Sequence, residues 1–172
     1  MLKNLLVYRM GIFNTLMAGL MVYLASKGYI SMVFAADPTG ISLAICLLFL
    51  MTFGSTAVQA YKITKDKNAV KLGLPTSQDK RKAKIEKVEK MADNMSLLGI
   101  IGTVVGFIVA FAGIDPSILV SASGVGTTVA QMMHGMGIAL YTTLTGAVLG
   151  GWTSQNYQFL KEAVDVLEID EK

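Results

Sequence analysis

The chain has 172 residues, 53% of them hydrophobic and only 16% charged, with a mean hydropathy of +0.55. A soluble domain of this length needs more polar surface than that, so the composition reads as an all-α integral membrane protein. One cysteine, Cys46, and one histidine, His134, exclude a disulfide framework and a metal-ligand spacing, and with so little nucleophile or base no enzyme and no resident metal or cofactor is expected.

Lys3 and Arg9 precede an apolar run, Met10 to Ser26, that continues past Lys27 to Ala36. A basic flank, an apolar middle and small residues near Ala35 imitate a secretory signal, but the run reads as a first transmembrane helix over 10–36. Asp37-Pro38-Thr39-Gly40 carries turn chemistry. Ile41 to about Tyr61 is uncharged and long enough for a second span. The segment 62–93 then carries ten basic residues, Lys62 to Lys90, whereas the short loops around Asp37 and Asp115 carry none. The positive-inside rule places this segment, and with four spans both termini, in the cytoplasm. Lys27 dissents from the outer end of its helix, where a long lysine snorkels to the interface or meets a partner. The basic segment is matched by anionic lipid head groups, at about 1 kcal/mol per residue near the surface; nucleic acid is not expected. Gly73 and Pro75 break the chain, and Thr76 with Asp79 has the spacing of a capping box. A helix from there runs into the third span with Ile85, Val88, Ala92 and Met95 on one stripe.

The third span, 95–114, has no charge, and Ser96, Gly99, Thr103, Gly106, Ala110 and Gly113 recur at spacings of three and four, with Gly102 beside them. Burying apolar surface does not drive helices together in lipid, but small side chains permit close backbone approach. Asp115-Pro116 has the chemistry of a helix start; gathering cations at an outer mouth is a second role for Asp115. Gly124-Val125-Gly126-Thr127-Thr128 lacks the lysine of a phosphate loop. The fourth span, 129–152, repeats the pattern with Ala139, Thr143, Gly146, Gly150 and Thr153, and Thr142 widens the polar patch. His134 reads as an interfacial residue at its outer end, proton relay being the alternative. Beyond Trp152, in the tail 154–172, Tyr157, Leu160, Val164 and Leu167 follow at heptad-like spacing, so the last two helices extend into the cytoplasm and pack on each other or on neighbouring subunits.

The ordered pair LLGIIGTVVGFIVAF and GIALYTTLTGAVLGG resembles the paired helices of the MotA/TolQ/ExbB family, the pore-forming subunits of ion-driven motors in bacterial inner membranes. The resemblance implies a homopentameric ring around two copies of a single-span partner of the MotB/ExbD/TolR kind, each bringing an ionisable aspartate. It assigns Thr103 and Thr143 to the ion path, where a hydroxyl bonds the protonated carboxyl or helps coordinate a partly dehydrated cation. Among similar stator subunits a threonine at the place of Thr142 occurs in sodium-driven members and an alanine in proton-driven ones; the transported ion is H+ or Na+. ExbB and TolQ usually carry a glutamate where this chain has Ile138 and have three spans, so the likeness leans to the MotA branch. The large cytoplasmic domain of flagellar stators has only about thirty residues in its place here, too few for a separate core. Two other readings stand beside this one. A small four-helix exporter expects a membrane-embedded carboxylate, and Asp37 and Asp115 sit in loops; a scaffold assembled through the glycine seams gives the threonines no task.

Overall fold

The computed structural model describes the backbone of residues 5–71, 78–112, 114 and 122–170 and the side chains of 8–65, 82–112, 114 and 123–166. Its five helices are α1 (Leu5–Ser26), α2 (Tyr29–Ala36), α3 (Ile41–Lys71), α4 (Gln78–Ala112) and α5 (Ala122–Asp170), and no strand occurs among the described residues. Helices α3, α4 and α5 are each long and apolar enough to cross a membrane, and α1 with α2 makes a fourth span if the bent pair crosses as one. Many large apolar side chains are left exposed, Leu140 at 71% and Ile12 at 69% among them, which is the surface a bilayer or a neighbouring copy covers.

The run read as one helix over 10–36 is broken. The Lys27 amide donates to the Tyr23 carbonyl at 3.2 Å and the Gly28 amide to the Ala25 carbonyl at 3.0 Å. Gly28 takes φ +79°, a left-handed conformation that ends helices and that glycine adopts without a Cβ clash. Helix α2 restarts with the Met32 amide on the Gly28 carbonyl at 3.0 Å, and the two pieces meet at 72°. Hydropathy is continuous across this point, so only the Lys27-Gly28 pair marked it. The turn before α3 is as expected, and Asp37 organises it. Its carboxylate accepts the Thr39 amide at 3.0 Å and the Ser42 amide at 2.7 Å, together with the Thr39 hydroxyl. Burial pushes the Asp37 carboxyl up, but the bonds from Thr39 and Ser42 outweigh it and hold it below its ordinary value.

Helix α3 continues ten residues past the expected end at Tyr61, to Lys71, because Gly73 is the first breaker and Ile63 anchors the extension at 3% exposure. The stripe Ile85, Val88, Ala92 and Met95 is buried, as are Tyr157, Leu160 and Val164. Ile85, Val88, Tyr157, Leu160 and Val164 share one core cluster with Met10, Ile63 and Phe159, so the extensions of α4 and α5 do pack on each other. Thr76, Leu167, Gly113 and the pair Asp115-Pro116 lie outside the residues whose side chains are described.

Helix α1 is fastened to α5 by polar groups to which the sequence analysis gave no role. Asn14 Nδ2 donates to Asn156 Oδ1 at 2.8 Å, Asn156 Nδ2 returns a bond to Asn14 Oδ1 at 3.0 Å, and Trp152 Nε1 donates to the same oxygen at 2.6 Å. Arg9 adds an exposed ion pair with Glu162 at 2.9 Å, worth little by itself. Asn156→Leu removes both amide–amide bonds and is expected to lower stability by about 1–2 kcal/mol, read as the shift in an SDS unfolding titration. Adding Asn14→Ala to that variant is expected to cost less than Asn14→Ala costs in the native chain, because the two amides are coupled.

Candidate functional site in the α4–α5 seam

Helices α4 and α5 run antiparallel in close contact, and glycine sets their separation. A Cβ built on Gly106 would lie 2.5 Å from the Ala139 amide nitrogen, and one on Gly146 would lie 2.7 Å from the Met95 carbonyl oxygen. Gly99 faces Gly146 and Thr143, Gly150 faces Ser96 and Ala92, and Gly102 abuts the Thr142 side chain. The seam residues Gly99, Gly102, Gly106, Ala110, Ala139, Gly146 and Gly150 therefore form one interface. Gly135 extends it past Ala139 toward the N-terminal end of α5, against Ala110. Its spacing of four before Ala139 was the available signal, missed because the seam was begun at Ala139.

Three threonines sit near the middle of this interface, and the helix turn separates them. Residues adjacent in sequence project about 100° apart on a helix, so Thr142 and Thr143 cannot share a direction. Thr142 points into the seam at 0% exposure, and its hydroxyl donates to the carbonyls of Ile138 at 2.9 Å and Ala139 at 3.1 Å. Thr143 lies at the open edge, exposed, opposite the half-buried Thr103. Their hydroxyl oxygens are hydrogen-bonded to each other. One hydroxyl donates across the pair, and the other is free to donate back to its own helix, Thr103 to Gly99 at 3.1 Å or Thr143 to Ala139 at 2.8 Å. Thr143 reaches the Gly99 carbonyl as well, at 3.4 Å. The result is a compact set of uncharged oxygens that accepts a proton donor or replaces part of a cation's water shell. No carboxylate occurs in 41–61, 95–112 or 129–152, so a carboxylate at this depth of the seam would have to come from another chain.

The outer candidates are apart from this pair. Lys27 is exposed at the α1–α2 break, with Nζ 5.9 Å from the centroid of the Tyr23 ring. His134 is exposed on α5, and Asp115 lies outside the described residues. No group of three or more His, Cys, Asp or Glu side chains is placed to hold a metal among the described residues.

A sequence model described as the MotA/TolQ/ExbB proton channel family matches residues 42–170. The chain belongs to this family. The match takes in α3, α4 and α5 with the whole glycine seam and all three threonines, and leaves α1 and α2 before it. Neither the curated proteins nor the solved structures include a significant match. Membership of the MotA/TolQ/ExbB family supports an ion-channel function in a multi-pass membrane protein, and the family is not one of enzymes.

Proposed function

We propose that this protein is the ring subunit of a cation-driven rotary motor in a bacterial inner membrane, with both termini in the cytoplasm. Five copies surround the transmembrane helices of two single-span partner chains, and each partner carries an ionisable aspartate. The observation that carries the reading is the Thr103–Thr143 hydroxyl pair, open at the edge of an otherwise closed seam. The partner's aspartate takes up H+ or Na+ from outside and moves against this pair. It then releases the ion inward, with Thr142 supporting the pair from inside the seam. A carboxylate in lipid-like surroundings is costly when charged and cheap when neutral, so loading and unloading alternate which face of the ring it prefers. That alternation steps the ring around the partner pair. Because the spans hold no carboxylate of their own, the subunit alone conducts little.

Native mass spectrometry of the detergent-purified complex, with the single-span partner co-expressed, tests the assembly. Five copies with two partners are expected. A dimer, or a closed ring that excludes the partner helices, would overturn the motor reading in favour of an exporter or a scaffold.

A further inference from the structure

Helices α1 and α3 flank the α4–α5 pair, and side-chain contacts fix how far along it they reach. On α1, Arg9 pairs with Glu162 at 2.9 Å and Asn14 with Asn156 at 2.8 Å. The Phe13 and Phe159 rings meet between them, with centroids 5.8 Å apart. Helix α1 thus runs antiparallel to α5, and its end at Ser26 lies twelve residues, about 18 Å, beyond Asn14. On α3, Phe49 and Phe53 bracket Trp152 with ring centroids at 4.9 and 6.0 Å, and Ile63 packs in the cluster of Leu160 and Val164. Helix α3 thus runs parallel to α5, and its start at Ile41 lies about 15 Å before the contact with Trp152. Thr143 is 13 residues from Asn156 and nine from Trp152, about 20 and 14 Å. Both flanking helices therefore stop level with the threonine pair. Beyond that level α4 continues for about 14 Å to Ala112 and α5 for about 31 Å to Ala122.

Helix α2 does not extend the flank. Its 8 residues make about 12 Å of helix, and at 72° to α1 they advance only about 4 Å along that axis. On either side of α2 the backbone is irregular, at Lys27-Gly28 and at the turn Asp37-Pro38-Thr39-Gly40. Lys27, Pro38, Thr39 and Gly40 are all exposed. Irregular backbone open to hydrocarbon leaves amides and carbonyls unpaired, so such segments face water or head groups, and a charged lysine is costly in the bilayer centre. Tyr23 and Tyr29, on either side of Lys27, are 57% and 56% exposed, and tyrosine settles at the level of the head groups. The flank also needs no help from α2 to cross. Residues 10–26 and 41–61 are uncharged runs of about 25 and 31 Å.

We infer that α2 is an interfacial helix. The head groups of the leaflet remote from Arg9 come down to it beside α1 and α3, level with the Thr103–Thr143 pair, while α4 and α5 stand beyond them. The exposed Met32 and Phe34 of α2 dip into the acyl chains, and Lys27 at the corner meets a lipid phosphate. This placement needs nothing from the motor reading. Where that reading holds, the placement adds one consequence, which rests on it. The hydrocarbon alongside the threonine pair is thin, and thinning lowers the cost of bringing a charge to that depth.

The test uses the full-length protein in phosphatidylcholine–phosphatidylglycerol vesicles, with and without the co-expressed partner. In a Cys46→Ser background, one nitroxide at a time is attached at Met32→Cys, Thr39→Cys or Met51→Cys. Collisions with oxygen report hydrocarbon, and collisions with a nickel chelate report water. Met51 is 72% exposed and lies between Phe49 and Phe53, in the middle of the flank. The nickel-to-oxygen ratio is expected to be about tenfold higher at Met32 and Thr39 than at Met51, because hydrocarbon excludes the polar chelate. In the unmodified protein, Lys27 is expected to react with a membrane-impermeant amine reagent as fast in freeze–thawed vesicles as in detergent. Nitroxides at Met32 and Thr39 that meet oxygen but not nickel, with Lys27 protected, would put the α1–α2 corner inside the hydrocarbon and overturn the inference. Shielding of these positions from both reagents would overturn it too, since another copy or the partner would then cover α2. Either result leaves the motor reading standing, and a complex that fails to assemble as a motor leaves α2 where the nitroxides put it.

Discussion

Gly106→Leu is expected to cost about 3 kcal/mol of stability, the upper end of overpacking penalties, and to separate α4 from α5. The reason lies in what the new side chain meets. Its first carbon would fall 2.5 Å from the Ala139 nitrogen and 2.7 Å from the Ala139 Cα, and a backbone cannot swing aside as a side chain does. Relief requires the two helices to move apart, which forfeits contacts at Gly99, Gly102 and Gly146 together. In lipid nothing replaces them, because close approach rather than apolar burial holds such helices. Gly151→Ala is the control. Its Cβ meets nothing within 4 Å in the chain, so it is expected to be neutral or stabilising by about 0.5–1 kcal/mol through helix propensity. SDS unfolding of the two variants beside the native protein reads the contrast. Equal stability of Gly106→Leu and the native chain would mean that α4 and α5 are not packed through this seam.

That seam was legible in the sequence because its signal is a period. Small residues every three or four positions on two uncharged stretches can hardly be anything but facing surfaces in a membrane, and the contacts at Gly99, Gly106, Ala139, Gly146 and Gly150 follow. The buried stripes of the two extensions were legible for the same reason. What escaped were features carried by single residues. Gly28 ends α1 by adopting one backbone conformation, and a hydropathy profile has no access to that. Asn14 and Asn156 are 142 positions apart, and two asparagines in apolar helices announce a polar contact without saying which amide meets which. The threonine patch was read one step too simply. Thr142 and Thr143 are neighbours in the sequence and for that reason point in different directions, so one is sealed in the seam and the other faces out. This division bears on the choice of ion. On the motor reading proposed above, a sealed Thr142, with both of its bonds on its own helix, would act on a cation only through the position it gives Gly102 and Thr143.

Thr143→Val is expected to lower coupled ion flux about a hundredfold, the scale on which removing one placed oxygen acts in a water-poor site, while costing at most about 1 kcal/mol of stability. The two effects separate because valine keeps the shape of threonine and removes only the hydroxyl. The bond that Thr143 makes to the Ala139 carbonyl is a side-chain addition to a carbonyl already within the helix, and Thr103 retains its own bond to Gly99 at 3.1 Å. No buried donor is orphaned, so folding and ring assembly are preserved. The proposed ion path, by contrast, loses half of its hydroxyl pair and the contact between α4 and α5 that positions the other half. Thr103→Val should act in the same direction, and the double variant should be little worse than either single one, since the two oxygens serve as one unit. Flux measured in proteoliposomes, alongside the assembled mass of each complex, checks both halves of this expectation. Native flux from an intact Thr143→Val ring would remove the hydroxyls from the path and leave the seam as packing alone. Loss of flux together with loss of the ring would mean that the pair is structural. Only an intact ring that no longer conducts sets the function apart from the packing that supports it.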